Sequence, residues 1–291
     1  MRIVAQRELP AGRQEIVAID TYAGVTDVLV SATSEWTYQA PKTMPDGTLM
    51  AYRLKPGQQF NLDSASNELV LFDGPNNAPR VIPRPIVKKG LNTTVWSAHG
   101  HAAPTTHGTL IHAAVEWETW WFWPIPVRKQ WVCVETDRSG KLTGARWPDR
   151  AEPSWTSNGL TCIDMSGGGG IVTPTRRFDK ATSPIGAKSF GWFDPHLSAD
   201  GSKVVWLDLV AVGLGVTSGL ILGDTLTGEV RYIVTPTSQM QTDAMWLDDH
   251  TVVGSRLIDG HWRVVLIDVI DRSVAVVPNT IDCTAIHIAA I

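Results

Sequence analysis

Apolar positions along this chain come in short runs of Val, Ile, Leu, Thr and Trp, broken every few residues by Gly, Pro, Asn or Asp. An amphipathic helix would need apolar residues recurring three and four apart over ten or more positions, and that pattern is hard to find anywhere. The runs have the length and the β-branched, aromatic content of strands, and the breakers between them are turn formers. The pattern predicts an all-β protein.

The runs also repeat. One unit is an apolar strand ending near an acidic residue, a polar turn, and a second strand closing on Pro or a small residue. It reads EIVAIDTYAGVTDVLV from Glu15, ELVLFDGPNNAPRVIP from Glu68, WVCVETDRSGKLTGARWP from Trp131, LTCIDMSGGGGIVTP from Leu160, LILGDTLTGEVRYIVTP from Leu220 and VVLIDVIDRSVAVVP from Val264. Each is a hairpin signal. A second unit, an aromatic-containing strand, an Asp-Gly turn and another apolar strand, precedes several of them: EWTYQAPKTMPDGTLMAYRL from Glu35, WFDPHLSADGSKVVWLDL from Trp192 and, degenerate, DAMWLDDHTVVGSRL from Asp243.

Together the units make four strands in roughly 40 to 50 residues, the period of a propeller blade. One such sheet cannot cover both of its apolar faces, whereas sheets packed around an axis cover each other and leave only short edges. The expected fold is therefore a single domain over residues 1–291, a closed β-propeller of about six four-stranded blades. Residues 1–30 carry three strands, and the tail TAIHIAAI from Thr284 offers a lone strand to complete the first blade. Between residues 86 and 190 the hairpins at Trp131 and Leu160 stand too close for a full unit, which leaves a count of five open.

The segments MPDGTLMAYRL and DPHLSADGSKVVWLDL resemble the Asp-Gly-containing repeat of the TolB-type propellers, relatives of the WD-repeat group. The resemblance covers two or three blades and lies in turn and core positions. It implies a scaffold that presents binding surfaces, and it carries over no site residues. TolB itself is exported and has an extra domain, and this sequence offers neither an apolar leader nor room for that domain.

With 43% hydrophobic and 19% charged residues the chain has the composition of a globular protein. A formal charge of −4 provides no basic field for a phosphate backbone, so nucleic acid is not an expected partner. Cys133, Cys162 and Cys283 are far apart and odd in number, which allows at most one bridge and matches no zinc or dithiol spacing. The N-terminus turns polar after five residues and no later apolar run reaches membrane-spanning length. A soluble cytoplasmic or virion protein, without signal peptide or membrane insertion, is the expectation.

Four features invite a chemical reading. The stretch HGHAAPTTHGTLIH holds His99, His101, His107 and His112, all competent metal ligands, but its Gly and Pro predict a loop with His112 on the following strand, so no metal or other cofactor is expected. Trp117, Trp120, Trp121 and Trp123 crowd one segment with Trp131. Such residues fill cores between blades, and where exposed they anchor partners or stack sugars, so the four are the candidate partner- or glycan-binding residues.

Asp194, Asp200, Asp243, Asp248 and Asp249 could be read as paired carboxylates. Asp200 before Gly201 and Asp46 before Gly47 recur at one place of the repeat, and Asp248 and Asp249 fall at the corresponding turn, so the set reads as structural and no catalytic residue is assigned. Gly167 to Gly170 join two strands as a hairpin turn and do not open a helix for a phosphate. No nucleophile elbow, P-loop or dinucleotide fingerprint occurs. The sequence thus points to a non-enzymatic interaction or structural module whose partners are other proteins, in an assembly such as a bacteriophage tail or virion. The competing reading is a carbohydrate-binding or carbohydrate-active propeller using Trp side chains and paired acids.

Overall fold

In a computed structural model the chain forms six antiparallel sheets around one axis. The structure describes residues 1–58, 67–74, 78–83, 88–89, 94–120, 123–166, 169–183, 189–212, 215–236 and 241–288. Blade 1 holds β1 (Arg2–Leu9), β2 (Arg13–Asp20), β3 (Gly24–Val30) and, innermost, the C-terminal β25 (Cys283–Ile288). Blade 2 is β4 (Thr37–Thr43), β5 (Leu49–Leu54), β6 (Glu68–Phe72) and β7 (Arg80–Ile82). Blade 3 adds a short fifth strand: β8 (Lys88–Lys89), β9 (Thr94–Pro104), β10 (Leu110–Trp120), β11 (Trp123–Thr136) and β12 (Leu142–Pro148).

Blade 4 is β13 (Arg150–Thr156), β14 (Gly159–Asp164), β15 (Gly170–Val172) and β16 (Arg177–Asp179). Blade 5 is β17 (Ser189–Leu197), β18 (Lys203–Val212), β19 (Gly215–Asp224) and β20 (Val230–Val234). Blade 6 is β21 (Gln241–Trp246), β22 (Thr251–Ile258), β23 (His261–Asp268) and β24 (Val274–Val276). The tail closes the ring as expected: β25 pairs antiparallel with β1, Ile3 opposite Ile288 and Arg7 opposite Cys283.

Strand periodicity puts apolar residues on both faces of a blade, and these pack neighbouring blades together. In β18, Val205 and Leu207 pack toward Trp246, Val252 and Val265 of blade 6, while Val204 and Trp206 pack toward Ile163, Ile171 and Phe178 of blade 4. In β22, Val252 faces blade 5 and Val253 faces Ile3, Val17 and Ile286 of blade 1. Trp206 is fully buried, with ring centroids 5.0 Å from Trp192 and 5.4 Å from Phe178.

Turn aspartates do what the repeat implied. Asp200 accepts the Ser202 N–H at 3.0 Å, Asp46 the Thr48 N–H at 3.1 Å, and Asp248 the His250 and Thr251 N–H groups at 2.8 and 2.7 Å. Gly201 and Gly47 take φ of 76° and 83° in these turns, a left-handed conformation that a Cβ disfavours. Asp249 is exposed at the blade 6 turn.

Two expectations are corrected. Residues 99 to 104 are strand, the end of β9, because HAAPTTHG from His101 is the blade 3 copy of the inner hairpin; only His107 lies in the turn, where it is exposed. The hairpin at Leu160 is the β14–β15 pair, and not the outer pair of its blade. Blade 4 is complete within residues 150–179, which explains why the Trp131 and Leu160 hairpins stand so close. Gly169 lies in that β14–β15 connection, as the hairpin reading had it, Gly170 opens β15, and Gly167 and Gly168 are outside the described residues.

All three cysteines are buried free thiols, and burial pushes Cys162 and Cys283 up to about 12, which leaves them unreactive. His112 is enclosed in β10 with Nε2 2.8 Å from Thr136 Oγ1, and burial lowers it to about 4, so it is a neutral core residue.

Candidate functional site

The inner strands share one irregularity. In β13 the ladder jumps from Ala151 to Ser154, in β17 from Phe193 to His196, in β4 from Gln39 to Lys42, and in β21 from Thr242 to Ala244. The same break falls between Ala98 and Ala102 in β9 and between Thr284 and His287 in β25. A bulge turns its extra residue out of the pleat and re-aims the side chain. In β4, β13, β17 and β21 the first bulged residue takes positive φ although none is glycine: Ala40 47°, Glu152 47°, Asp194 49° and Asp243 50°. Each costs on the order of 1 kcal/mol or more, and a cluster of such residues marks a place built for something besides folding.

Five inner strands show the pattern in sequence once the turns are aligned. Ala40, His101, Glu152, Asp194 and Asp243 each stand seven residues before Gly47, Gly108, Gly159, Gly201 and His250. Two positions further on are Lys42, Ala103, Ser154, His196 and Met245, with His287 matching by register in β25. Glu152, Asp194 and Asp243 line an axial cavity of about 280 Å³ with Lys42, Tyr52, Phe193 and Ile286. A second cavity of about 360 Å³ lies toward the inner turns, lined by Ser154, Trp155, Thr156, Trp246 and His287. Lys42, His196 and Met245 border both, so the two chambers adjoin along the axial channel.

Electrostatics in the channel are strongly coupled. The Asp194 N–H donates to Glu152 Oε2 at 2.7 Å. Burial, with the Asp194 charge adding to it, pushes Glu152 up to about 7, against the opposing pull of that hydrogen bond and of Lys42. Burial likewise lowers Lys42, opposed by Asp194, Asp243 and Glu152. Asp194 Oδ1 is 3.0 Å from His196 Nε2, and Ser154 Oγ is 2.9 Å from His196 Nδ1. On blade 1, His287 Nδ1 accepts the Thr43 N–H at 3.2 Å. Trp246 Nε1 donates to the His196 carbonyl at 3.0 Å and holds blade 6 against blade 5.

A side cavity of about 470 Å³ opens between blades 3, 4 and 5, sharing Glu152 and Phe193 with the channel. Trp131, Ile163, Trp192 and Phe193 wall it, while Phe190 and Met165 stand on its lining 65% and 47% exposed. A Cβ at Gly191 would fall 2.5 Å from the Phe193 ring and force the ring to move. Asp164 on the same lining is closed by Arg150 at 2.8 Å and by Arg177.

Asp194 and Asp243 therefore differ from the turn aspartates with which the sequence reading grouped them: they sit on bulges facing the channel. Glu152, Lys42, Ser154, His196 and His287 were not singled out from the sequence; the spacing to the turn glycine is the signal that finds them. Trp117 and Trp120 lie on β10 and Trp123 on β11, and His99 and His101 lie in the β9 bulge, but the side chains of these five are outside the described residues, as is Trp121 altogether. Among the described residues no group of three or more His, Cys, Asp or Glu is placed to hold a metal ion, and no helix is long and apolar enough to cross a membrane.

No protein-family model and no curated protein sequence matches the chain. Solved structures do resemble it. TolB from Acinetobacter baumannii aligns over 99% of this chain and 66% of its own at 16% identity, with a TM-score of 0.62. A chain of a nidogen/laminin complex aligns over 99% of this chain and 98% of its own at 9% identity and a TM-score of 0.57. Hydrazine synthase from Kuenenia stuttgartiensis aligns over 98% of this chain and 46% of its own at 10% identity and a TM-score of 0.59. At these identities the likeness is one of fold, and it matches the TolB-type resemblance of the inner hairpins.

Proposed function

We propose that this propeller is an interaction module that docks other proteins, as a component of a larger assembly such as a bacteriophage tail or another virion. The observation that carries this reading is the side cavity between blades 3, 4 and 5, where Phe190 and Met165 expose apolar surface beside buried Trp192 and half-buried Trp131. Aromatic anchors at the rim of a preformed recess are the usual centre of a protein interface. The nidogen/laminin match, itself a chain of a protein–protein complex, lends support at the level of fold.

Protein recovered from its native context, cross-linked and sized, is expected to carry a partner that Phe190→Ser releases. A strictly monomeric protein that captures nothing there removes the reading. A carbohydrate-directed role has one specific support, the adjacency of Glu152 and Asp194 in the channel. A glycan array tests it, with Trp120→Ala and Trp121→Ala to follow, and no glycan bound by the parent protein would remove it.

A further inference from the structure

Ser154, His196 and Asp194 form one hydrogen-bonded chain across blades 4 and 5, with Ser154 Oγ 2.9 Å from His196 Nδ1 and His196 Nε2 3.0 Å from Asp194 Oδ1. A carboxylate only accepts, so its side of the ring carries the proton. Nδ1 then presents its lone pair to the Ser154 hydroxyl, which donates. Nucleophile, base and a third group that holds the base in one tautomer are the three parts of an activated serine. Separate features supply them: Asp194 reaches forward from the β17 bulge to the imidazole two residues on, and Ser154 arrives from the equivalent position of the neighbouring blade.

The chain opens onto space for a substrate. Ser154 and His196 line the cavity of about 360 Å³, whose other walls are mainly apolar, among them Pro104, Trp155, Leu197 and Met245. Lys42 lines it too, an amine whose protonated form Asp194, Asp243 and Glu152 favour against the burial that lowers it. A positive group beside an attacked carbonyl is what a developing oxyanion requires.

We infer that Ser154 is the nucleophile of an acyl-transfer site acting on small carboxylic esters with an apolar acyl group, with His196 as base, Lys42 as oxyanion partner and Asp194 as a positioning residue. Ser154 Oγ bonds to the carbonyl carbon while its proton passes to His196 Nδ1. The carbonyl electron pair moves onto oxygen, beside the Lys42 ammonium. Collapse of this intermediate breaks the bond to the alkoxy group, which leaves as the alcohol with the proton from His196. Water then attacks the acyl-serine carbonyl, giving a proton to His196; the bond from Ser154 Oγ to the acyl carbon breaks, the His196 proton passes to Oγ, and the carboxylic acid leaves. This activity is additional to protein docking and stands or falls independently of it.

The full-length protein, treated with a fluorophosphonate probe and digested, should give one adduct, on Ser154. Hydrolysis of p-nitrophenyl butyrate should be lost in Ser154→Ala, fall about 100-fold in kcat in Lys42→Met, and fall about 1,000-fold or more in kcat at unchanged KM in Asp194→Asn. Thermal melts establish that each variant is folded, and the labelling of the unmodified protein needs no variant. The absence of an adduct on Ser154, or hydrolysis that survives Ser154→Ala, overturns the assignment.

Discussion

Two halves of the axial channel are built by the same backbone device and carry opposite chemistry. Blades 4, 5 and 6 place Glu152, Asp194 and Asp243 at the first bulged position. Blade 2 places Ala40 there and puts its charge two residues on, at Lys42, where blade 1 has His287. The repeat dictates where a side chain points, because strand register and turn set that geometrically. It does not dictate which side chain, so positions that packing leaves unused carry an acidic arc on one side and a basic one on the other.

A closed ring holds both sides of the channel in place, and the largest effect should come from opening it. Deleting the chain from Cys283 removes the inner strand of blade 1 and the buried Cys283 and Ile286. Loss of the cooperative melting transition is expected in calorimetry; a truncated chain that melts like the full one would show that the two halves do not depend on closure.

Next in size is the acidic arc's own pH dependence. Glu152 folds with a value of about 7 against its ordinary 4.5. The folded state therefore holds more protons than the unfolded one between those values, and stability falls as pH rises from about 4.5 to 7, by on the order of 2 kcal/mol. Lys42, Asp194, His196 and Asp243 share its cavity and Asp164 and Lys180 the adjoining one, so the midpoint belongs to the group as a whole. Denaturant melts across this range should show the limb in the parent protein and a flatter profile in Glu152→Gln.

Lys42→Met removes the amine whose charge opposes the carboxylates across the channel. Carboxylates then face one another uncompensated, so Glu152 should move upward by about one unit or less in a carboxyl-carbon NMR titration, and stability at pH 8 should drop by about 1 kcal/mol. An unmoved Glu152 would separate the basic half from the acidic one.

The smallest effect should come from the turn. Asp200→Asn weakens acceptance from the Ser198 and Ser202 hydroxyls, which with the Ser202 N–H hold Asp200 at about 2. Its value is depressed, so its contribution is complete above its ordinary 3.8 and is lost as pH falls toward 2. The variant should cost no more than about 0.5 kcal/mol at neutral pH in denaturant melts, because the group is exposed. It should leave fluorophosphonate labelling unchanged, whereas Asp194→Asn, six residues away, should suppress that labelling.

Much of the fold was legible because a propeller is written in local signals. Each hairpin needs only its own turn residues and its own alternation, and Asp46, Asp200 and Asp248 could be assigned from the repeat alone. Legibility failed where a blade departed from the repeat: β15 and β16 are three residues each, so the Leu160 hairpin was counted one strand pair too far out. The site was far less legible. Ser154 and His196 are 42 residues apart and meet only because successive blades bring equivalent positions together. No short motif records such a contact, and Asp194 looks in sequence like one more turn-forming aspartate.

By itself the sequence determined the strands, the turns, the unit that repeats and the strand that closes the ring, since each depends on residues adjacent in the chain. Only the tertiary structure decided which polar residues face the axis, which carboxylates share a cavity, and that a serine, a histidine and an aspartate line up across two blades. Those facts depend on bulges and on packing between blades, which bring together residues that the chain keeps far apart.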